Sequence, residues 1–186
     1  MPGSTSNLHL PYPLMGETVS ATSQQNLATA IESALAATDA LRLDALKPPT
    51  CMAFRSASVA ITVNTDTAAN LTSNTFNDPT TMHSTSVNTD QVIVPTAGVY
   101  LIHGEANLTA TTTLTAVKVG ITQNGTQVFA QQSSPKAGGT GWILDCDAAI
   151  VCQAGDIIRL IGRWAGTGTG GFASCFLHVT RLCYLV

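Results

Sequence analysis

The sequence predicts an all-β fold, a jelly-roll β-sandwich, preceded by an N-terminal extended arm and one α-helix. From about residue 51 onward, short runs rich in β-branched and aromatic residues alternate with Gly, Asn, Asp and Pro, which is typical of sandwich strands. Helical periodicity is confined to one segment that ends before Pro48. Hydrophobic residues make up 45% of the 186 residues, which suffices for a core, whereas charged residues make up only 10%.

Residues 1–19 are predicted to form an extended attachment arm. Its prolines disfavour a regular helix. The apolar side chains that a partner would bury are Tyr12, Leu14 and Met15. A tail without any partner is the alternative interpretation.

Residues 20–49 are predicted to hold the helix, from about Ser20 to Leu46, with Pro48 and Pro49 ending it. Apolar and small residues recur along it at alternating spacings of four and three, the heptad pattern of a coiled coil. These positions are Leu27, Ile31, Ala34, Thr38, Leu41 and Ala45. The seam is expected either to join copies of the chain in a trimeric coiled coil or to pack on the chain's own sheet.

Residues 50–186 are predicted to form the sandwich domain. Strands are expected over Met52–Val63, Thr75–Phe76, Gln91–Val94, Gly98–Leu108, Leu114–Gln123, Thr126–Gln132, Trp142–Ile150, Ile157–Trp164 and Phe172–Leu185. The polar run 67–90 is interpreted as long loops around its one short strand. Alternation places Tyr100 and Ile102 on one core-facing side, and Asn124-Gly125 predicts a tight hairpin.

The charge pattern excludes two classes of partner. Net charge is −3, and the eight basic residues are scattered rather than clustered, so neither nucleic acid nor an anionic membrane surface is an expected partner. No apolar run approaches the roughly 18 residues of a membrane span, and the first residues do not resemble a secretion signal. A surface this poor in charge favours burial against copies or neighbours, although a neutral Thr-rich surface is the alternative.

The cysteines and glycines do not predict a cofactor or metal site. The five cysteines are interpreted as free thiols that act as small buried hydrophobic residues, since their number is odd and their spacing fits no zinc site. The run Gly166–Gly171 satisfies G-x-G-x-x-G, but a β-run follows it where a nucleotide site needs a helix.

The sequence predicts no catalytic residue. Asp145 and Asp147 face the same way on one strand, so they suit either acid–base chemistry or calcium binding. A polar strand face opposite Trp142 and Leu144 is the favoured interpretation. The histidines are dispersed, and His103 and His178 are interpreted as surface or interface residues on strands.

The order of motifs in this domain resembles the globular head of the complement one-q and tumour-necrosis-factor superfamily of trimeric jelly rolls. The matching pieces are Met52-Ala53-Phe54-Arg55-Ser56-Ala57, Pro95-Thr96-Ala97-Gly98-Val99-Tyr100-Leu101-Ile102, Asn124-Gly125, Ala154-Gly155-Asp156 and Phe172 with Cys175-Phe176-Leu177. The chain departs from the family in placing Cys175 where Gly usually precedes Phe-Leu, and in lacking a collagen repeat.

This resemblance implies a homotrimer that forms through an apolar strand face. The candidate oligomerisation residues are Leu27, Ile31 and Leu41 on the helix, and Tyr100, Phe172 and Phe176 on the sandwich, with Leu182 as a further contributor. Some of the sandwich residues are expected to fill the core instead.

The N-terminal segment resembles minor virion proteins of tailed bacteriophages. Tyr12-Pro13-Leu14 followed by Gln25-Asn26-Leu27-Ala28-Thr29-Ala30-Ile31-Glu32 carries that resemblance. It implies a virion structural protein, assembled in the host cytoplasm, whose arm binds capsid or tail proteins. The jelly roll would face outward and bind a host-surface glycan or protein. A non-viral trimeric ligand-binding module is the alternative, and a polysaccharide-degrading enzyme using Asp145 and Asp147 is a third.

Overall fold

The structure, a computed structural model, describes residues 3–4, 11–12, 21–110, 114–133 and 141–184, and within these it places side chains over 22–39, 47–109, 115–131 and 141–184. The chain divides into two units, Met1–Lys47 and Pro48–Val186.

The first unit contains one long helix. Strands β1 (Gly3–Ser4) and β2 (Pro11–Tyr12) pair antiparallel, and α1 covers Ala21–Leu46. The abundance of Ala and Leu favours the helix. Its described side chains are exposed, apart from half-buried Ala30. Within the described part of the chain, no helix is long and apolar enough to cross a lipid bilayer.

The second unit is a jelly-roll β-sandwich of two antiparallel sheets, which confirms the predicted fold class. Its strands are β3 (Thr50–Arg55), β4 (Val59–Ile61), β5 (Thr67–Ala68), β6 (Ser73–Asp78), β7 (Val92–Ile93), β8 (Gly98–Ala110), β9 (Leu114–Gln123), β10 (Thr126–Ser133), β11 (Gly141–Cys152), β12 (Ile157–Gly166) and β13 (Gly170–Cys183). The six-stranded sheet, called the large sheet below, has the order β11-β8-β13-β3-β6, with β4 also paired to β13. The five-stranded small sheet has the order β10-β9-β12-β5, with β7 also paired to β12.

The core lies between the two sheets. Because side chains alternate along each strand, every second side chain points into this core. Tyr100 and Ile102 of β8 are fully buried, as predicted, and so are Val117 and Val119 of β9. Gly162 lets the sheets approach closely, because a Cβ atom there would lie 2.5 Å from Cζ of Phe172. The same alternation turns the remaining side chains of each sheet outward.

A network of hydrogen bonds holds the β9–β10 hairpin against the turn between β11 and β12. Asn124 and Gly125 both have positive φ, 51° and 82°, as a two-residue hairpin turn requires. The Asp156 carboxylate accepts hydrogen bonds from Gln123 Nε2 at 2.7 Å, Asn124 Nδ2 at 2.8 Å and the Gln153 backbone N–H at 2.8 Å. The bond from Asn124 is the largest cause that lowers the pKa of Asp156.

Two sequence interpretations need correction. The run 67–90 is not only polar loop, because it supplies Leu71 and Met82 to the core and buries His83. His83 Nδ1 lies 2.7 Å from Asn74 Oδ1, and burial lowers the pKa of this imidazole. An isolated apolar residue in a polar run carries no periodic signal, so the pattern missed these core positions.

The second correction concerns the cysteines. All five are free thiols, but Cys183 is exposed. The other four are buried, and burial raises the pKa of the thiols of Cys51, Cys146 and Cys175 to about 12 and that of Cys152 to about 11. These four thiols therefore stay protonated at neutral pH and act as small apolar side chains.

Candidate functional site

The outer side of the large sheet carries a surface unlike the rest of the sandwich. We call it the aromatic face. It consists of Met52, Phe54, Phe76, Leu101, His103, Glu105, Phe176 and His178, together with Ile143, Asp145, Asp147 and Val151 along β11. Large apolar side chains on an outward strand face expose hydrophobic area to water, which typically marks a binding surface.

The strand register places the two histidines side by side at the centre of this face. His103 of β8 is directly opposite His178 of β13. The row continues to Asp147 on one side and through Met52 to Phe76 on the other. The sequence did not reveal this pair, because alternation identifies the side of a strand but not the residue opposite it.

Aromatic rings flank both histidines. The rings of Phe76 and His178 meet edge to face at 5.4 Å between centroids, and those of Phe176 and His103 lie 5.1 Å apart. Such pairs prefer edge-to-face or tilted geometries. The two histidines therefore lie among largely apolar side chains on the outer side of the large sheet.

The two imidazoles have different hydrogen-bond partners. His103 Nδ1 lies 2.7 Å from Oδ1 of Asp147, an ion pair whenever the ring is protonated. His178 Nε2 lies 2.7 Å from the hydroxyl of Thr180, which in turn lies 2.6 Å from the hydroxyl of Thr50. Burial lowers the pKa of His178, and the neighbouring charge of His103 lowers it further.

The carboxylates on this face lie on the neighbouring strands β8 and β11. Asp145 and Asp147 are both exposed on β11, as the favoured polar-face interpretation has it. Asp147 contacts His103, whereas Asp145 is opposite Glu105, a like-charged neighbour. Among the described residues, no group of three or more His, Cys, Asp or Glu side chains is arranged to hold a metal ion.

A depression of about 320 Å³ opens on the aromatic face between β3 and β13. The apolar side chains of Met52, Phe54 and Phe176 line it, together with polar and charged ones that include Arg55 and Glu105. A hollow of this mixed lining suits a protruding apolar side chain of a partner that also carries polar groups.

An apolar ridge runs along the opposite edge of the sandwich, where β10 and β11 are the edge strands of the two sheets. Val128 and Phe129 of β10 and Ile143 of β11 are exposed there, with Ile143 at 67%. Exposed apolar side chains on edge strands invite packing with another chain; β10 carries no charged side chain, whereas β11 also exposes Asp145 and Asp147. We call Val128, Phe129 and Ile143 the edge ridge.

The predicted sandwich residues divide between the core and the aromatic face. Tyr100 and Phe172 are 0% exposed, so their assignment to an oligomer surface is corrected here, and both are core residues of one chain. Tyr100 also donates its hydroxyl hydrogen bond inward, to the Thr96 carbonyl at 2.9 Å. Phe176 is half-buried on the aromatic face, and Leu182 near the end of β13 is exposed.

The predicted residues before the sandwich are only partly described. Leu27 and Ile31 are exposed on α1. Leu41 belongs to the same helix and Tyr12 to β2, but their side chains lie outside the described residues, as do Leu14 and Met15 altogether.

The glycine-rich run ends in a strand. Gly170 and Gly171 begin β13, and a Cβ atom at Gly171 would collide with the Val59 backbone carbonyl of β4. The glycines thus permit close strand packing here. A nucleotide site would need a helix after this run, and the structure has a strand.

Comparison with solved structures supports a shared fold. The tumour-necrosis-factor protein Eiger from S. frugiperda aligns with a TM-score of 0.54 and 13% identity, covering 74% of this chain and 96% of that structure. The globular domain of the zebrafish complement 1qA protein aligns with a TM-score of 0.57 and 8% identity, covering 75% of this chain and 100% of that structure. The chain matches no protein-family model and no curated protein sequence. At these identities the likeness establishes the jelly-roll fold and nothing finer.

Proposed function

We propose that this chain is a homotrimeric structural and binding protein whose copies join through the aromatic face. The observation that carries the proposal is the exposure of Phe76, Leu101 and Ile143 on one sheet face of a chain with only 10% charged residues. Burying such side chains stabilises an assembly by about 25 cal/mol for each Å² of apolar area removed from water.

Two different apolar surfaces on one chain are consistent with a ring of copies. The edge ridge and the depression near Phe54 and Phe176 are different patches on one chain. When one patch of each copy packs on the other patch of the next, the contact is heterologous and forms a ring when the rotation between copies closes. A ring of three is the number implied by the trimeric jelly rolls that the motifs resemble.

Helix α1 supports the same assembly. Leu27 and Ile31 are exposed on the seam, and the seam's Thr38 donates its hydroxyl hydrogen bond to the Ala34 carbonyl of the same helix at 2.9 Å. The one polar position among the described seam residues is thus satisfied without a partner. We propose that three helices zip along this seam, with Leu41 continuing it.

The finer proposal is a bacteriophage virion component, in the capsid or the tail. The arm, with Tyr12, Leu14 and Met15, would attach the trimer to the particle, and the sandwich would face outward to bind a host-surface glycan or protein. The resemblance of residues 12–32 to phage virion proteins supports this. The fold suits a non-viral trimeric ligand-binding module equally, and electron microscopy of purified particles, with this chain located on them, separates the two.

The assembly itself is tested by measuring mass in solution. Light scattering and sedimentation at micromolar concentration should give about 58 kDa, three times the chain mass of 19.3 kDa. Ile143→Lys should shift the mass to that of a single folded chain, because it places a charge in the edge ridge. A wild-type chain that stays monomeric at micromolar concentration overturns the proposal.

The matched control is Val87→Lys. Val87 is 64% exposed and Ile143 is 67% exposed, and both are β-branched, but Val87 lies outside the aromatic face and the edge ridge. The Val87 variant should keep the wild-type mass. Loss of assembly in both variants would point to nonspecific association through surface hydrophobicity.

A further inference from the structure

We infer that His178, with His103 beside it, makes the joining of copies through the aromatic face depend on pH. Copies associate through the aromatic face when His178 is neutral, and they separate as His178 gains a proton. This inference rests on the proposed assembly, and it adds the condition under which that assembly forms or separates.

The histidine pair lies within the proposed interface between copies. His178 and His103 are opposite each other on adjacent strands at the centre of the surface that copies would cover. Phe76 and Phe176 flank them with apolar rings. A second copy packed here would remove water from both imidazoles, and a charged imidazole loses more by that than a neutral one.

The two histidines differ in what can stabilise a proton. His103 has the Asp147 carboxylate at 2.7 Å, so its proton has a counter-charge. Within the described residues, the hydrogen-bond partners of His178 are the hydroxyls of Thr180 and Thr50, and its ring meets the ring of Phe76. A proton on His178 therefore gains no carboxylate and faces the imidazolium of His103.

The other charged groups around His178 do not reverse the unfavourable effect of a proton on this residue. From the packed strands these are His103 and Glu105 of β8, Asp145 and Asp147 of β11, Arg55 of β3 and Asp78 of β6. Arg55 is directed away, with its Nε donating to the Ala57 carbonyl at 2.7 Å. Of the acidic groups, Asp147 contacts His103 and not His178, so it gives a proton on His178 no direct counter-charge.

The direction of the effect follows from linkage. In one chain, burial and His103 already lower the pKa of His178 below its ordinary value. Covering the face lowers it further, so assembly releases protons. The assembly is then at full strength above the pH range in which His178 of the free chain titrates, and it weakens as the pH falls through that range.

The experiment measures the trimer's dissociation constant by sedimentation at pH 7.5 and pH 5.0, for the wild type and for His178→Gln. Glutamine keeps a hydrogen-bonding group near Thr180 and cannot titrate. We expect the dissociation constant of the wild-type trimer to be at least tenfold higher at pH 5.0 than at pH 7.5, equivalent to about 1.4 kcal/mol. The dissociation constant of His178→Gln should change much less. Failure of the wild type to assemble at pH 7.5 would contradict the proposed function itself. Equal assembly of the wild type at both pH values would overturn only this inference.

A second measurement tests the inference even if the His178→Gln variant fails to assemble, because it does not use that variant. The pKa of His178 is read by NMR in the wild-type trimer and in the monomeric Ile143→Lys chain, and it should be lower in the trimer. An equal or higher value in the trimer contradicts the inference. If His178→Gln retains the full wild-type pH response, the sensor lies elsewhere, for example at buried His83, and the inference is wrong.

Discussion

The two sheets present outer faces with opposite chemistry, although both have the same strand alternation. On the small sheet, Lys118 binds Asp66 at 2.8 Å and Arg159 binds Asp90 at 2.8 Å. On the large sheet, Asp145 is opposite Glu105 with no ion-pair partner among the described residues, and Phe176 is opposite Glu105 on the other side. Lys118 and Arg159 are therefore paired within one chain, whereas the aromatic face exposes apolar side chains that a second chain would cover in the proposed assembly.

In the proposed assembly, the aromatic face is covered and the outer face of the small sheet stays in water. Lys118 and Arg159 each meet a carboxylate of the same chain on the small sheet, where Arg163 lies directly opposite Lys118. The aromatic face exposes Phe76 and Leu101 instead.

The largest effect is expected where the two sheets meet. Phe172→Ala should lower the free energy of unfolding by about 3–5 kcal/mol, because a fully buried ring is replaced by a cavity. Urea unfolding of the monomeric Ile143→Lys chain, with and without the change, measures it. Phe172 is assigned to the core. If Phe172→Ala instead lowers the free energy of unfolding by less than about 1 kcal/mol, and abolishes assembly when made in the otherwise wild-type chain, Phe172 belongs to the interface between copies.

A smaller effect is expected at the turn where the chain crosses from the large sheet to the small sheet. Asp156→Asn should cost about 0.5–1 kcal/mol, since the carboxylate accepts three hydrogen bonds in partly exposed surroundings that screen its charge. The pKa of Asp156 is lowered in the fold, so its contribution is present above the unfolded value and lost as the pH falls below about 4. Thermal unfolding at pH 7 and pH 3 should show the difference between the two proteins shrinking at pH 3. A constant difference would mean that the carboxylate charge has no part in it.

The smallest effect is expected on the outer face of the small sheet. Lys118→Met removes the ion pair with Asp66 and the hydrogen bond to Gln127 Oε1 at 2.9 Å. The cost in unfolding free energy should stay below about 1 kcal/mol, and raising the salt concentration should reduce it further. The mass in solution should remain that of the wild type. A change in mass would show that this face also takes part in assembly.

Much of the sandwich could be predicted because its information is local. Alternation placed Tyr100 and Ile102 on the core side of β8, and Asn124-Gly125 marked a hairpin whose φ angles the structure shows to be positive. Turn chemistry and alternation depend on adjacent residues, so one sequence carries them.

The candidate site was less accessible to sequence, because it depends on which strands are neighbours. His103 and His178 are 75 positions apart in the numbering and meet only through the β8–β13 register. Phe76 lies in a polar run without periodic signal, and it reaches the face through its place opposite Met52. Alternation could have found Leu101 and Ile143, since each lies between core positions on its strand and must face outward.

The most direct test of the contrast between the two faces is hydroxyl-radical footprinting of the wild type and of the Ile143→Lys chain. Phe76 on the large sheet and Ile93 on the small sheet are 38% and 37% exposed in one chain, and β6 is at the other edge of its sheet from the substituted strand β11. The aromatic-face account predicts that Phe76 is labelled less in the wild type than in the variant, while Ile93 is labelled equally in both. Equal labelling of Phe76 in an assembled wild type and a monomeric variant would contradict it.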